Sequence, residues 1–139
     1  MNVTSKGRYA LRVMLDLAQH PDDGIISLKT IADRQQVSMK YLELIVSSLK
    51  KAGLVESSRG KVGGYRLCRP PAAYSVGEIL RCIEDSLAPV SCIKDGNVCC
   101  ERSGACMTVP MWMELDNRIN AYLDAVSLQD LLTGERWKS

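Results

Sequence analysis

"KYLELIVSSLKKAGLVESSRGKVGGYRL", residues 40–67, changes its pattern halfway along. Its first half carries apolar side chains at the spacing of one helical face, namely Leu42, Ile45, Val46 and Leu49. Gly53 follows in the position that glycine favours just past a helix end. Two short runs, "LVESS" and "YRLCR", then flank the glycine-rich "RGKVGG", which is typical of two strands joined by a turn. The stretch predicts a helix followed by a β-hairpin.

Two more helices precede this stretch. Thr4 or Ser5 can cap a first helix that stops at Pro21, and its apolar face consists of Leu11, Met14, Leu15 and Ala18. Ser27 can cap a short second helix, and Ser38 can cap the third. Only "QQVSMKY" separates the second and third helices, so they must meet steeply, as in a helix-turn-helix. The predicted fold is mainly α with a small β-hairpin, a winged helix-turn-helix.

Two further helices are predicted downstream. Ser75 and Glu78 match a capping box, S-x-x-E, for a helix that runs to about Glu84. A long helix, residues 109–126, starts near Pro110 and carries a narrow apolar stripe made of Trp112, Leu115, Ile119, Tyr122 and Val126. So narrow a stripe favours pairing with a second copy, and packing back on its own domain is the alternative. Ser127 can cap a last short helix, "SLQDLL".

The charge is distributed unevenly between the two halves of the chain. The net charge of the 139 residues is +2, but residues 1–70 hold 12 Lys and Arg against 6 Asp and Glu, whereas residues 71–139 hold 6 against 10. We expect residues 1–70 to form a winged helix-turn-helix DNA-binding domain, and residues 71–139 to hold a cysteine-rich loop (91–106) and a dimerisation helix. The basic half can meet a polyanion, although a solvated basic surface is the alternative.

We expect the amino-terminal end of the third helix to be the surface that contacts DNA. A helix fits the major groove of B-DNA, where exposed side chains reach base edges and phosphates. The candidate residues at that end are Ser38, Met39, Lys40, Tyr41 and Glu43. Because Glu43 repels phosphate, its predicted role is to accept a hydrogen bond from a cytosine amino group. Pairing of Glu43 with Ser47 or Lys50 in water is the alternative.

The predicted hairpin turn adds two cations to this surface. Arg59 and Lys61 flank Gly60, and the turn has no bulk that would keep its backbone away from a neighbouring groove. An arginine at a hairpin tip can enter a narrow, electronegative minor groove. A turn residue in water is the alternative for Arg59. We predict DNA contacts from both side chains.

The sequence argues against an enzyme and against a membrane protein. The only histidine, His20, stands beside a turn proline, and no cysteine has a visible catalytic partner. The "GKVGG" run lacks the hydrophobic strand and the G-K-S/T helix of a phosphate loop. No stretch of eighteen apolar residues and no signal peptide is visible, so we expect a cytoplasmic protein with reduced thiols.

Four of the six cysteines lie within "SCIKDGNVCCERSGAC", residues 91–106. Clustered thiolates in a reducing compartment bind metal or undergo redox chemistry. On spacing alone, an iron–sulfur centre and a zinc site are equally compatible, and a thiol loop that forms a disulfide is a third alternative. The other two cysteines, Cys68 and Cys82, are predicted to be small buried apolar residues.

Three stretches, "TSKGRYALRVMLDLA" (4–18), "KYLELIVSSLKKAGLVESSRGKVGGYRL" (40–67) and "SVGEIL" (75–80), resemble the Rrf-type winged-helix transcription regulators, which include IscR, NsrR and RirA. The resemblance spans nearly the whole chain and is most specific from the third helix through "AGLVESSRGKVGGY". It implies a homodimer, built on the long helix, that binds palindromic operators in double-stranded DNA. For many members it also implies an iron–sulfur cluster in the loop between the last two large helices.

In that family the loop ligands are three cysteines, and the resemblance assigns this role to Cys92, Cys100 and Cys106, with Cys99 as a replacement or fourth ligand. It favours a 2Fe–2S cluster over a 4Fe–4S cluster. Val109 stands where some relatives have a histidine ligand, and Arg8 stands where others have an aspartate. The fourth ligand is then Cys99, a group of the partner subunit or a small exogenous ligand, and a cluster held in this way would be labile.

The resemblance implies a regulator whose operator binding is modulated by the cluster, so that it senses iron, cluster supply, redox state or nitric oxide. A zinc- or thiol-based redox-sensing repressor is one alternative. A cluster-free regulator controlled by a protein partner is another, and a thiol oxidoreductase is the third.

Overall fold

The computed structural model describes residues 3–58, 63–98 and 106–138. Three helices open the chain: α1 (Ser5–Gln19), α2 (Leu28–Gln35) and α3 (Met39–Lys51). The strands β1 (Val55–Ser58) and β2 (Gly64–Leu67) follow, and then helix α4 (Val76–Ile83). The second half contains β3 (Ile93–Lys94), β4 (Asn97–Val98), α5 (Val109–Ala125) and α6 (Leu128–Thr133). Single 3₁₀ turns lie at Pro21–Asp23, Pro71–Ala73 and Glu135–Trp137. The predicted fold class, mainly α with a small hairpin, is confirmed.

Hydroxyl side chains cap five of the helices at the predicted residues. Each accepts a hydrogen bond from a backbone N–H of the first turn, and the capping residues are Thr4, Ser27, Ser38, Ser75 and Ser127. Each cap stabilises its helix by about 1 kcal/mol relative to alanine. The capping box predicted at Ser75 is only half formed. The carboxylate of Glu78 accepts two hydrogen bonds from Arg69, at 2.8 and 3.2 Å, and is thereby engaged outside its own helix.

The three-helix unit is built around the inner face of α3. The four apolar residues predicted to face inward are each no more than 1% exposed: Leu42, Ile45, Val46 and Leu49. They pack against α1 and α2, and the same core continues into Tyr74, Ile79 and Leu128. Packing therefore extends past residue 70, because α4 and α6 close the open side of the three-helix unit.

The strands β1 and β2 form an antiparallel hairpin, with Val55 opposite Leu67 and Ser58 opposite Gly64. Ile26 adds a bridge to β2, since Ile26 and Tyr65 exchange two backbone hydrogen bonds of 2.8 and 2.9 Å. The close approach requires glycine at position 64, because a Cβ there would lie 2.3 Å from the carbonyl oxygen of Ile26. The hairpin is thus fixed to the segment that precedes α2.

A buried tyrosine joins the hairpin to the second half of the chain. The Tyr74 side chain is 0% exposed, and its hydroxyl donates to the carbonyl oxygen of Leu54 at 2.7 Å. The same hydroxyl accepts from the backbone N–H groups of Cys68 and Arg69. Burial raises the pKa of this phenol, so it stays protonated and able to donate. One side chain therefore holds both ends of the hairpin.

Helix α5 lies against α4 and leaves much of its surface open. One ion pair and one hydrogen bond join the helices, because Arg81 on α4 reaches the carboxylate of Asp124 at 2.6 Å and the side-chain amide oxygen of Asn120 at 2.7 Å. Val126, directly after α5, packs in a small apolar cluster with α4, but Leu115 and Tyr122 of the predicted stripe are 39% and 50% exposed. None of the helices in the described residues is both long and apolar enough to cross a bilayer.

Candidate DNA-binding surface and cysteine loop

The outward face of α3 begins at its capped amino terminus. Ser38, Lys40 and Glu43 are exposed, and Met39 is 42% exposed. Glu43 forms no ion pair within the described residues, so the predicted alternative of a pair with Lys50 is not observed there. A capped, solvent-exposed helix end with a mixture of donors, acceptors and apolar groups suits a DNA groove.

Sequence reasoning missed one residue of this face. Leu44 is 57% exposed, so it lies beside Glu43 on the outer side of α3. An exposed leucine on a reading helix can contact a thymine methyl group. The signal was available in the spacing, because position 44 falls outside the inward set that begins at Leu42.

The remaining candidate of the helix, Tyr41, is half-buried. Its ring meets Tyr9 of α1 edge to face, with the ring centroids 5.9 Å apart. The guanidinium of Arg12 lies over the same Tyr9 ring at 4.8 Å. The aromatic pair therefore fixes the start of α3 on α1.

An ion pair between a buried aspartate and a partly exposed arginine sets the position of α2, the other half of the helix-turn-helix. Asp16 of α1 is 1% exposed, and its carboxylate accepts from Arg34 at 2.6 and 3.1 Å and from Gln35 at 2.9 Å. A bidentate guanidinium with a third donor satisfies most of a buried carboxylate's capacity. This network holds α2 against α1 in one orientation.

The two predicted cations of the hairpin turn, Arg59 and Lys61, lie outside the described residues. On the paired strands, Arg66 forms an ion pair with Glu56, the residue opposite it in the register. Arg66 is therefore neutralised locally. The DNA contacts of Arg59 and Lys61 remain predictions.

A second, very short hairpin lies in the cysteine loop, where the sequence analysis placed no strand. Ile93 pairs with Val98, and the turn between them has positive φ at Asp95 (53°) and Gly96 (77°). Asp-Gly is the dipeptide that such turns favour, which is the signal that could have predicted the hairpin. The hairpin returns the chain to the neighbourhood of Cys92.

The two described thiols of the loop are both half-buried. Sγ of Cys106 lies 3.1 Å from Oγ1 of Thr108, and hydrogen bonds from this hydroxyl and from the Thr108 backbone N–H lower the pKa of the Cys106 thiol. Cys99 and Cys100 lie outside the described residues. Among the residues that the structure does describe, no three side chains of the metal-binding types are placed to hold one ion.

The two cysteines outside the loop differ from each other. Cys68 is exposed, so the prediction that it is buried was wrong. The alternation of the hairpin places it on the solvent side together with Arg66, while Leu67 turns inward. Cys82 is half-buried on α4 and its thiol lies 3.1 Å from the carbonyl oxygen of Ile79; burial raises its pKa.

Three helices, a steep turn and a hairpin against the third helix define a winged helix-turn-helix protein. A family model described as "Iron-dependent Transcriptional regulator", Rrf2, matches residues 3–134. The chain belongs to the Rrf2 family of DNA-binding transcription regulators.

Individual relatives agree with this assignment. The regulator IscR of Aliivibrio salmonicida is 42% identical over 132 residues, which cover 95% of this chain and 77% of that protein. IscR of Yersinia pseudotuberculosis is 38% identical, with 97% and 81% covered. These relatives are named as transcriptional regulators and not as enzymes.

Solved structures show the same architecture. The structure of CymR, the global cysteine regulator of B. subtilis, has a TM-score of 0.77 at 36% identity and covers 96% of this chain and 97% of that one. The structure of T. potens IscR has a TM-score of 0.75 at 38% identity, with 97% and 88% covered. The predicted family is confirmed.

Proposed function

We propose that this regulator is a cytoplasmic homodimer that reads a palindromic operator with α3 and the wing, and that an iron–sulfur cluster held by loop cysteines modulates its affinity. The protein residues that would hold the cluster are Cys92, Cys100 and Cys106, with Cys99 as a replacement or fourth ligand. A 2Fe–2S cluster is proposed ahead of a 4Fe–4S cluster. When bound, such a cluster supplies a centre whose integrity responds to iron supply, oxidants or nitric oxide.

The main observation behind the cluster proposal is that the surroundings of Cys106 favour its thiolate form. Metal and iron–sulfur centres bind thiolate and not thiol, and the hydrogen bonds at Thr108 favour the thiolate of Cys106. The β3–β4 hairpin also supports the proposal, because Val98 lies opposite Ile93, next to Cys92. The residues present are therefore compatible with the cluster.

The dimer proposal rests on the exposed apolar residues of α5, two from the predicted stripe and a third, Met111, beside it. Leu115 and Tyr122 are 39% and 50% exposed, and Met111 is 53% exposed. Two copies that pair through this helix would be related by a two-fold axis, which requires a symmetric operator. Their recognition helices would enter the major groove about 34 Å apart, one turn of DNA.

The connection between loop and DNA-binding surface runs through two helices. Cys106 lies three residues before the start of α5, and Arg81 joins α4 to α5 through Asp124 and Asn120. Helix α4 in turn packs on α1 and α3. A cluster that fixes the loop at Cys92 and Cys106 would thus change the relative position of α4 and α5. This change would alter the distance between the two copies of α3 in the dimer.

The test is the absorption spectrum of protein purified without oxygen, with iron, sulfide and zinc analysis. We expect a brown protein whose visible absorption bleaches in air or nitric oxide. The triple variant Cys92→Ala, Cys100→Ala, Cys106→Ala should be colourless, and the control Cys68→Ala, which removes an exposed thiol outside the loop, should stay brown. Colourless wild-type protein with stoichiometric zinc would support the zinc-based alternative. An iron-free protein that copurifies with a stable protein partner would support the cluster-free alternative.

A further inference from the structure

A cavity of about 140 Å³ lies where the end of α4, the turn of the β3–β4 hairpin and the middle of α5 meet. Its lining contains four carboxylates, Glu84, Asp85, Asp95 and Asp116, and one guanidinium, Arg81. This acidic excess lies apart from the outward face of α3. Neither of the two described loop thiols, Cys92 and Cys106, lines it.

Two of the charged groups already have partners in the fold. Arg81 donates to Asp124 at 2.6 Å and to Asn120 at 2.7 Å, so its guanidinium points to α5 residues other than Asp116. Glu84 accepts from both the backbone N–H and the hydroxyl of Thr4, at 2.9 and 2.8 Å. Within the described residues, Arg81 forms no ion pair with the other three carboxylates of the cavity, Asp85, Asp95 and Asp116.

Asp116 is the unusual member of this lining. It is 2% exposed, and its Oδ2 atom is buried and has no hydrogen-bond partner among the described residues. The nearby amide of Asn120 donates to the backbone oxygen of Asp116 and not to its carboxylate. A buried carboxylate oxygen without a hydrogen-bond donor is costly, and such groups are commonly retained where they bind something.

We propose that this cavity binds a small organic cation that carries an ammonium or guanidinium group, with Asp116 as its buried acceptor and Asp85 and Asp95 at the exposed edge. These cations carry three to five N–H donors, which can reach carboxylates on different walls. A metal ion fits less well, because no three ligand-type side chains in the described part of the chain converge on one point.

The position of the cavity gives the proposed ligand a structural role. Asp85 follows α4, Asp95 lies in the β3–β4 turn and Asp116 lies in α5. A cation that contacts all three would tie these elements together at the junction through which the loop reaches the DNA-binding unit. The binding itself does not depend on the iron–sulfur proposal.

The test is calorimetric titration of the full-length protein, at constant ionic strength, with putrescine, L-arginine or guanidinium chloride as probes and magnesium chloride as a comparison. We expect at least one organic cation to bind, and Asp116→Asn to weaken that binding at least tenfold. The control Asp33→Asn removes an exposed carboxylate on α2 and should bind as the wild type does. Without any probe, Asp116→Asn should raise the thermal unfolding midpoint, because it removes an unpaired buried charge.

Four outcomes would overturn the proposal. The first is that no organic probe binds the wild type, and the second is that Asp116→Asn binds the probes as tightly as the wild type. The third is that magnesium shows the same dependence on Asp116, which would identify a metal site. The fourth is that Asp116→Asn lowers the oligomeric mass while no probe binds, since Asp116 would then accept a cationic side chain of another subunit.

Discussion

The thiols of Cys106 and Cys82 lie in opposite environments. Cys106 precedes α5, where the hydroxyl and the backbone N–H of Thr108 lower its pKa. Cys82 lies half-buried on α4, where desolvation raises its pKa. The thiolate is the reactive and metal-binding form, so the surroundings of Cys106 favour that form and those of Cys82 disfavour it.

This difference predicts a ratio of alkylation rates in reduced, metal-free protein. At pH 7 a lowered pKa gives a larger thiolate fraction, so Cys106 should react with iodoacetamide faster than Cys82, and the gap should narrow as the pH rises above both pKa values. Thr108→Val should slow the alkylation of Cys106, whereas Thr133→Val should leave its rate unchanged. Peptide mass spectrometry measures both rates. Equal rates at Cys106 in the wild type and in Thr108→Val would contradict the assigned cause.

Tyr74 carries the hydrogen bonds that close the wing. Tyr74→Phe would leave the carbonyl oxygen of Leu54 and two backbone N–H groups without their partner. We expect the free energy of unfolding to fall by about 2 kcal/mol, as for other unsatisfied buried groups. Tyr122→Phe, which removes a half-exposed hydroxyl on α5, should lower the free energy of unfolding far less. Equal losses in chemical denaturation would show that the Tyr74 hydroxyl does not hold the hairpin.

Residues with local partners were the most predictable. Ser27, Ser38 and Ser127 cap helices as predicted because a cap depends only on the next three residues. Glu78 was mispredicted because its partner, Arg69, comes from outside the helix and binds its carboxylate with two hydrogen bonds. Hydrophobicity alone likewise could not place Leu44 in solvent.

At the scale of elements, α3 carries the central functional prediction. Its exposed Lys40 should contribute one phosphate contact, so Lys40→Ala should weaken operator binding and reduce the slope of log affinity against log salt by about 0.9 per subunit. Lys138→Ala, at the far end of the chain, should change neither the operator affinity nor the salt slope. Fluorescence anisotropy with an operator selected from random duplexes measures both quantities. An unchanged salt slope in Lys40→Ala would remove this residue from the interface.

The long helix was predictable, whereas the two-residue strands were not. The predicted long helix, 109–126, is observed as Val109–Ala125, because Pro110 and a sustained apolar stripe mark it. Strands β3 and β4 have two residues each and no apolar alternation. Only the Asp95–Gly96 dipeptide indicates a hairpin here. Whether the residues on either side of it pair as strands cannot be read from the composition.

At the scale of the whole molecule, the exposed stripe of α5 predicts how two copies meet. Ile119→Asp places a charge in the middle of this stripe and should reduce the solution mass to that of one 15.4 kDa chain, whereas the wild type should have twice that mass. Asn117→Asp adds the same charge on an exposed residue outside the stripe and should remain dimeric. Sedimentation equilibrium distinguishes these states. A dimeric Ile119→Asp would place the interface elsewhere.

In the candidate site, too, features that depend on neighbouring residues could be predicted, whereas features built from distant segments could not. The capped and exposed amino-terminal end of α3 could be predicted because a cap, a helical period and a following hairpin specify it within thirty residues. The fourth ligand of the proposed cluster could not, since Val109 and Arg8 stand where the resemblance leads one to expect a ligand, and Cys99, a group of the partner subunit and a small exogenous ligand all stay open. The carboxylate cavity was also invisible, because its walls come from three separate elements.

The central claim is that cluster occupancy changes how the dimer holds DNA. The direct measurement is operator affinity, without oxygen, of cluster-loaded and cluster-free wild type and of the triple variant Cys92→Ala, Cys100→Ala, Cys106→Ala. We predict that the two wild-type forms differ at least tenfold, which corresponds to about 1.4 kcal/mol of coupling, and that the variant matches the cluster-free form. Equal affinity of the loaded and cluster-free wild type for every operator tried would contradict the account.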